Sequence, residues 1–109
     1  MVLLEFSMSP MTKGDSVSQY VARSLEIVEA SGLDYRLHAM GTIIEGELPE
    51  VLAVVQQCFA VMAQDCDRIS CTAKIDYRKG YSGRLASKVA SVEEKLGHSL
   101  KTVEGRHED

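Results

Sequence analysis

Met40-Gly41-Thr42-Ile43-Ile44-Glu45-Gly46 is the stretch that decides how this chain folds. Its β-branched residues run together between two glycines, with one charge among them, which is a strand pattern. Residues 34–40 just before it alternate, with Tyr35, Leu37 and Ala39 turned inward. Gly41 marks a turn or bulge between the two segments. Just after them, Pro49 suits the first turn of a helix. Glu45 then has two readings, a solvated strand residue or a carboxylate held ready for a ligand.

Working outward, residues 2–9 alternate as well, with Val2, Leu4, Phe6 and Met8 on one side and Leu3, Glu5, Ser7 and Ser9 on the other. That is a half-buried strand. Pro10, Lys13, Gly14 and Asp15 predict a loop, and Asp15 or Ser16 can cap a helix. Val17, Tyr20, Val21, Leu25 and Val28 follow at helical spacing, and Gly32 stops that helix. A second helix turns Leu52, Val55, Phe59 and Met62 inward. Residues 68–78 predict a long strand with Ile69, Cys71, Ala73, Ile75 and Tyr77 on one face and Ser70, Thr72, Lys74, Asp76 and Arg78 on the other. A third helix begins near Ser82, carries the stripe Leu85, Val89, Val92 and Leu96, and ends at Gly97.

The order is βαββαβ followed by α, which predicts an α+β, ferredoxin-like sandwich with a four-stranded antiparallel sheet plus a C-terminal helix. Both main helices cover one face of the sheet. The other face carries Glu5, Ser7, Lys74, Asp76 and Arg78, and Glu5 and Lys74 are expected to pair across adjacent central strands. Residues 1–97 form the single domain and residues 98–109 a polar tail.

At 109 residues the chain is long enough for one real core and too short for two. Its 45% hydrophobic content with mixed charges excludes a disordered or fibrous class. A net charge of -4 argues against a nucleic-acid partner. No apolar run approaches the roughly 20 residues that span a bilayer, and the start is charged too early for a signal peptide. A cytoplasmic protein is the expectation. The cysteines, Cys58, Cys66 and Cys71, lack metal or disulfide spacing, and Cys58 and Cys71 are expected as small core residues.

Catalytic patterns are absent from this reading. His38 lies in a strand and His98 and His107 near the tail, so no metal-ligand spacing or nucleophile–base pair stands out. The open sheet face offers no aromatic pair for stacking RNA bases. One anion site is conceivable where the third helix starts, because free N–H groups there would be reinforced by Arg78, Lys79 or Arg84. No P-loop motif accompanies it.

Four segments together carry a resemblance: Glu5-Phe6-Ser7-Met8-Ser9-Pro10, Ser18-Gln19-Tyr20-Val21-Ala22, Met40 to Gly46, and Lys74-Ile75-Asp76-Tyr77-Arg78. They resemble the thiamine-binding protein family, small ferredoxin-like domains formerly of unknown function. The likeness runs from the first strand to the third helix. It implies a homo-oligomer, a dimer of dimers built by sheet packing, that binds thiamine or a related pyrimidine without catalysis. It implies no cofactor beyond that ligand, no metal, no nucleic acid and no membrane. Glu45, Asp76, Thr42, Ser9, Tyr20, Met40 and Arg78 are the ligand-binding residues it suggests. A carboxylate such as Glu45 would meet the ligand's amine or cation, a tyrosine would stack on a ring, and Thr42 and Ser9 would fix a polar edge. Arg78 becomes relevant if phosphate esters bind. Tyr77 departs from the acidic pair common in the family's last strand. The alternatives are an oligomerisation module with no small ligand, structural or regulatory, and an enzyme acting on a small heterocycle or phosphate ester. Strand alternation adds a constraint: Thr42 and Glu45 face opposite ways unless a bulge at Gly41 or Gly46 intervenes.

Overall fold

The structure, a computed structural model, describes residues 1–11 and 18–102. Its elements are β1 (Val2–Pro10), α1 (Ser18–Ala30), β2 (Asp34–His38), β3 (Gly41–Gly46), α2 (Leu48–Ala63), β4 (Ile69–Tyr77) and α3 (Arg84–Leu96). They form one antiparallel sheet in the order β2-β3-β1-β4, the ferredoxin-like arrangement expected. The helix-capping residues expected before Val17 lie outside the described residues. Gly32, at φ 77°, follows α1 as a left-handed stop, and Gly97, at φ 84°, does the same for α3. At the start of α2 the Glu50 carboxylate accepts the Glu47 N–H at 2.9 Å, and Pro49 occupies the first turn.

α1 and α2 pack on one face of the sheet. Between them and the strands lie Val2, Leu4, Phe6, Met8, Tyr20, Val28, Ile44, Val51, Val54, Cys58 and Met62. The pairing is regular across β1 and β3, from Val2 opposite Gly46 to Phe6 opposite Thr42, with no bulge. Thr42 and Ile44 therefore face the helices, while Ile43 and Glu45 face the other side.

Several expectations are corrected. α2 buries Val51, Val54, Cys58 and Met62 and leaves Leu52 and Phe59 exposed, because the helix is apolar on most of its circumference and packs one position out of the predicted phase. β4 lies at the sheet's edge and is not central. Its alternating residues do point to the helix side, but the two helices do not reach over them, so Cys71, Ile75 and Tyr77 are exposed. Leu37 and Ala39, on the opposite edge, are exposed for the same reason. α3 begins at Arg84 after a left-handed Gly83, and of its stripe only Leu85 is buried. Glu5 stands opposite Lys74 as expected, yet its carboxylate meets His38 instead.

The second face is not wholly open. α3 lies against β3 and β2 there.

Candidate functional site

β1 is longer than its partner on one side. Pairing with β3 ends at Phe6, whereas pairing with β4 continues to Pro10. Past that end a cavity of about 280 Å³ opens. Residues 6–9 of β1 form its floor, Val21, Ser24 and Leu25 of α1 one wall, and the β2–β3 turn from Leu37 to Thr42 the other. The β3-facing edge of Ser7 to Ser9 has no strand opposite it, so main-chain donors and acceptors there turn toward the cavity.

Gly41 makes this geometry possible. A Cβ at this position would stand 2.7 Å from the Phe6 carbonyl oxygen, closer than side-chain carbons come. Only glycine lets the hairpin end approach β1 so closely.

The lining is chemically simple. Phe6, Met8, Val21, Leu25, Leu37 and Met40 supply apolar surface, while Ser7, Ser9, Ser24 and Thr42 supply hydroxyls. Among the described lining residues His38 is the one titratable residue and none is a carboxylate. Such a cavity suits a flat, neutral heteroaromatic ring with a hydrogen-bonding edge.

The seven residues suggested by sequence are thereby divided. Ser9, Met40 and Thr42 come together in the cavity. Tyr20 is buried in the core, with the Arg23 guanidinium 4.7 Å from its ring centre. Glu45 and Asp76 lie on the opposite side of the sheet and hold α3. The buried Glu45 carboxylate accepts the backbone N–H of Arg84 at 2.9 Å and that of Leu85 at 3.4 Å. This internal carboxylate fills the place where an external anion was expected at the α3 start.

Asp76 accepts from the Arg84 guanidinium at 2.7 Å and the Lys88 ammonium at 2.8 Å. The Lys88 bond, aided by Arg84, holds the Asp76 carboxyl below the usual carboxylate range. Arg78 stacks on Tyr81, its guanidinium carbon 3.8 Å from the ring centre. Around these residues a shallow basic hollow of about 380 Å³ includes Arg78, Arg84 and Lys88. With Arg84 and Lys88 already on Asp76, its charge is largely spent within the fold.

Sequence reasoning passed over Leu37, His38, Val21 and Leu25. The signal for them was positional: Val21 lies within a quoted segment and the others close to one, but only the end of β3 makes them neighbours. A larger groove of about 470 Å³ runs between α1 and α2, lined by helix-surface residues such as Glu26, Ala30, Ala53 and Gln57. It contains none of the seven residues and lacks the unpaired strand edge, so the smaller cavity is the better site.

Residues 4–93 match the family of thiamine-binding proteins. The UPF0045 protein Mb1933 of Mycobacterium bovis is 38% identical over 96 residues, covering 87% of this chain and 94% of its own. The UPF0045 protein MJ1052 of Methanocaldococcus jannaschii is 34% identical over 93 residues, covering 85% and 93%. The crystal structure of that protein superposes with a TM-score of 0.79, over 85% of this chain and 96% of its own. A Thermotoga maritima protein named as a candidate in thiamine biosynthesis or salvage has the same fold, with a TM-score of 0.73 at 22% identity over 84% and 97%. Motif, fold and sequence similarity agree, and the chain belongs to the thiamine-binding protein family.

Proposed function

We propose that this protein binds thiamine or a related pyrimidine/thiazolium compound without transforming it, as a cytoplasmic homo-oligomer with no further cofactor. The observation that carries this reading is the cavity at the end of β3, where Ser9, Thr42 and Met40 of the family motifs meet. Its lining suits the aminopyrimidine ring, with hydroxyls and strand-edge groups for the ring nitrogens and apolar walls for its faces. Among the described residues no carboxylate lines the cavity, and the cationic thiazolium is placed toward the mouth and water.

The state of His38 favours binding over catalysis. Its Nδ1 accepts the Met40 N–H at 3.2 Å and its Nε2 lies 3.0 Å from the Glu5 carboxylate. Nδ1 is occupied by that bond, Nε2 faces Glu5, and among the described residues the ring makes no hydrogen bond to a serine, the pair a nucleophilic mechanism requires.

A thermal-shift and calorimetric screen with thiamine, its phosphates and hydroxymethylpyrimidine tests the reading. Ligand at 100 times its Kd stabilises the fold by about 2.7 kcal/mol. Thr42→Val removes one cavity hydroxyl and weakens binding. No melting shift with any of these compounds would favour the second reading, an oligomerisation module without a small ligand. That reading draws on the exposed Ile75 and Tyr77 of edge strand β4, which invite a partner strand.

A further inference from the structure

We propose that His38 positions the mouth of the cavity: as a neutral imidazole accepting the Met40 N–H it pins the β2–β3 turn, and protonation releases that turn. The inference rests on the binding reading for the ligand's identity, but the device itself does not depend on it.

The geometry is specific. His38 ends β2 and Glu5 lies on β1, with β3 running between them. Strands two apart are separated by about 9.5 Å, and the residue opposite His38 is Gly41. A Cβ on Gly41 would come 3.7 Å from the imidazole Cε1. That is an ordinary contact distance; the ring crosses β3 and its Nε2 lies 3.0 Å from Glu5 Oε2. Its other nitrogen, Nδ1, accepts the Met40 N–H at 3.2 Å. An accepting Nδ1 carries no proton, so the neutral ring bears its proton on Nε2, beside the Glu5 carboxylate but without a hydrogen bond to it.

Adding a proton makes both nitrogens donors. Nδ1–H would then face the Met40 N–H, donor against donor, and that bond must open. The Glu5 contact survives and becomes an ion pair. Met40 has little else to hold it, since its side chain is 81% exposed. The turn it belongs to supplies Leu37, Ala39, Met40 and Gly41 to the cavity wall. Loss of one main-chain bond thus acts directly on the mouth.

Charged groups near the pair lie on β4, α3 and β2. Lys74 of β4 is opposite Glu5, and Asp76 and Lys88 share a shallow depression with Glu5. Arg36 lies two residues before His38 on the same face and bonds to Asp34. On the cavity side, Val21, Ser24 and Leu25 of α1 contribute no charge.

The test uses the full chain. In amide spectra of the ligand-free protein, the Met40 resonance moves as the His38 ring takes up a proton. In His38→Asn, whose amide oxygen replaces the Nδ1 acceptor but does not titrate, Met40 stays still. Calorimetry with hydroxymethylpyrimidine on both proteins then reads the affinity ratio, which cancels any protonation of the ligand itself. The wild type is expected to lose about threefold to tenfold relative to His38→Asn as the pH falls, the scale of one hydrogen bond. A Met40 amide indifferent to His38 titration, or a constant affinity ratio, would overturn the proposal. A Met40 amide that titrates while no compound binds at any pH supports the device and defeats the ligand reading instead.

Discussion

Replacing Glu45 by glutamine separates a structural carboxylate from a ligand-binding one. In the native chain both carboxylate oxygens accept main-chain N–H groups at the start of α3, and the side chain is buried. Glutamine keeps one acceptor oxygen and turns an NH₂ donor toward the second N–H. The loss of negative charge at a helix N-terminus costs about 0.3–1 kcal/mol. A buried N–H left without an acceptor costs about 1–3 kcal/mol. Together about 2 kcal/mol is a fair expectation for Glu45→Gln. For a chain of this length that corresponds to a fall of about 8 °C in Tm if α3 melts with the rest.

α3 buries only Arg84 and Leu85, so part of the loss can appear as local opening instead. Amide exchange in α3 then rises by up to about thirtyfold, at tenfold per about 1.4 kcal/mol. Scanning calorimetry and hydrogen exchange on Glu45→Gln measure both routes. Unchanged melting and unchanged α3 exchange, together with weakened thiamine binding, would refute the capping assignment and return Glu45 to the ligand.

Three further outcomes follow from the same geometry. Gly41→Ala forces a Cβ against the Phe6 carbonyl and prises β3 from β1, costing about 1–3 kcal/mol by denaturant titration; an unchanged midpoint would mean the hairpin end has slack. Asp76 has a lowered pKa in the fold, so its contribution is complete above the ordinary carboxylate range and is lost as pH falls through the lowered value. The melting difference between wild type and Asp76→Asn should therefore be largest near neutral pH and close in acid, and a difference independent of pH would remove the Lys88 and Arg84 pairing as its cause. Cys71 is exposed while Cys58 and Cys66 are buried, and burial raises both the Cys58 and Cys71 thiols. Alkylation followed by mass spectrometry should mark Cys71 first, slowly at neutral pH, with Cys58 reacting only on opening; early labelling of Cys58 would contradict the packing of α2.

What was legible in the sequence was set by local rules. Alternation and glycine punctuation placed β1, β3 and the stops at Gly32 and Gly97, because side-chain period and left-handed caps are encoded within a few residues. The phase of α2 was not legible. Leu48, Val51, Leu52, Val54, Val55, Cys58, Phe59, Val61 and Met62 leave two apolar stripes open to burial, and only the shape of the sheet beneath selects one. β4 misled in the opposite way: its apolar alternation gives the right face but not the extent of helix cover. The site shared this division. Ser9, Thr42 and Met40 sit in quoted motifs and line one cavity, whereas the tie between Glu45 and Arg84 spans 39 residues and has no signature in either segment.

The opening stretch thus works on two faces at once. Regular pairing sends Thr42 toward the helices and the cavity, and sends Glu45 to the far side, where it caps α3. Its two glycines serve packing: Gly41 admits the Phe6 carbonyl, and a Cβ at Gly46 would come 3.1 Å from Leu33. A six-residue strand cannot turn both polar residues to one ligand without a bulge, and none is present. The acidic residue of the motif therefore reads as the anchor of a helix. On this view a substitution at Thr42 should change binding with little change in α3, and one at Glu45 should do the reverse. The two effects should add in the double variant within about 0.5 kcal/mol, as expected for sites without shared partners; strong coupling between them would place both on a single ligand after all.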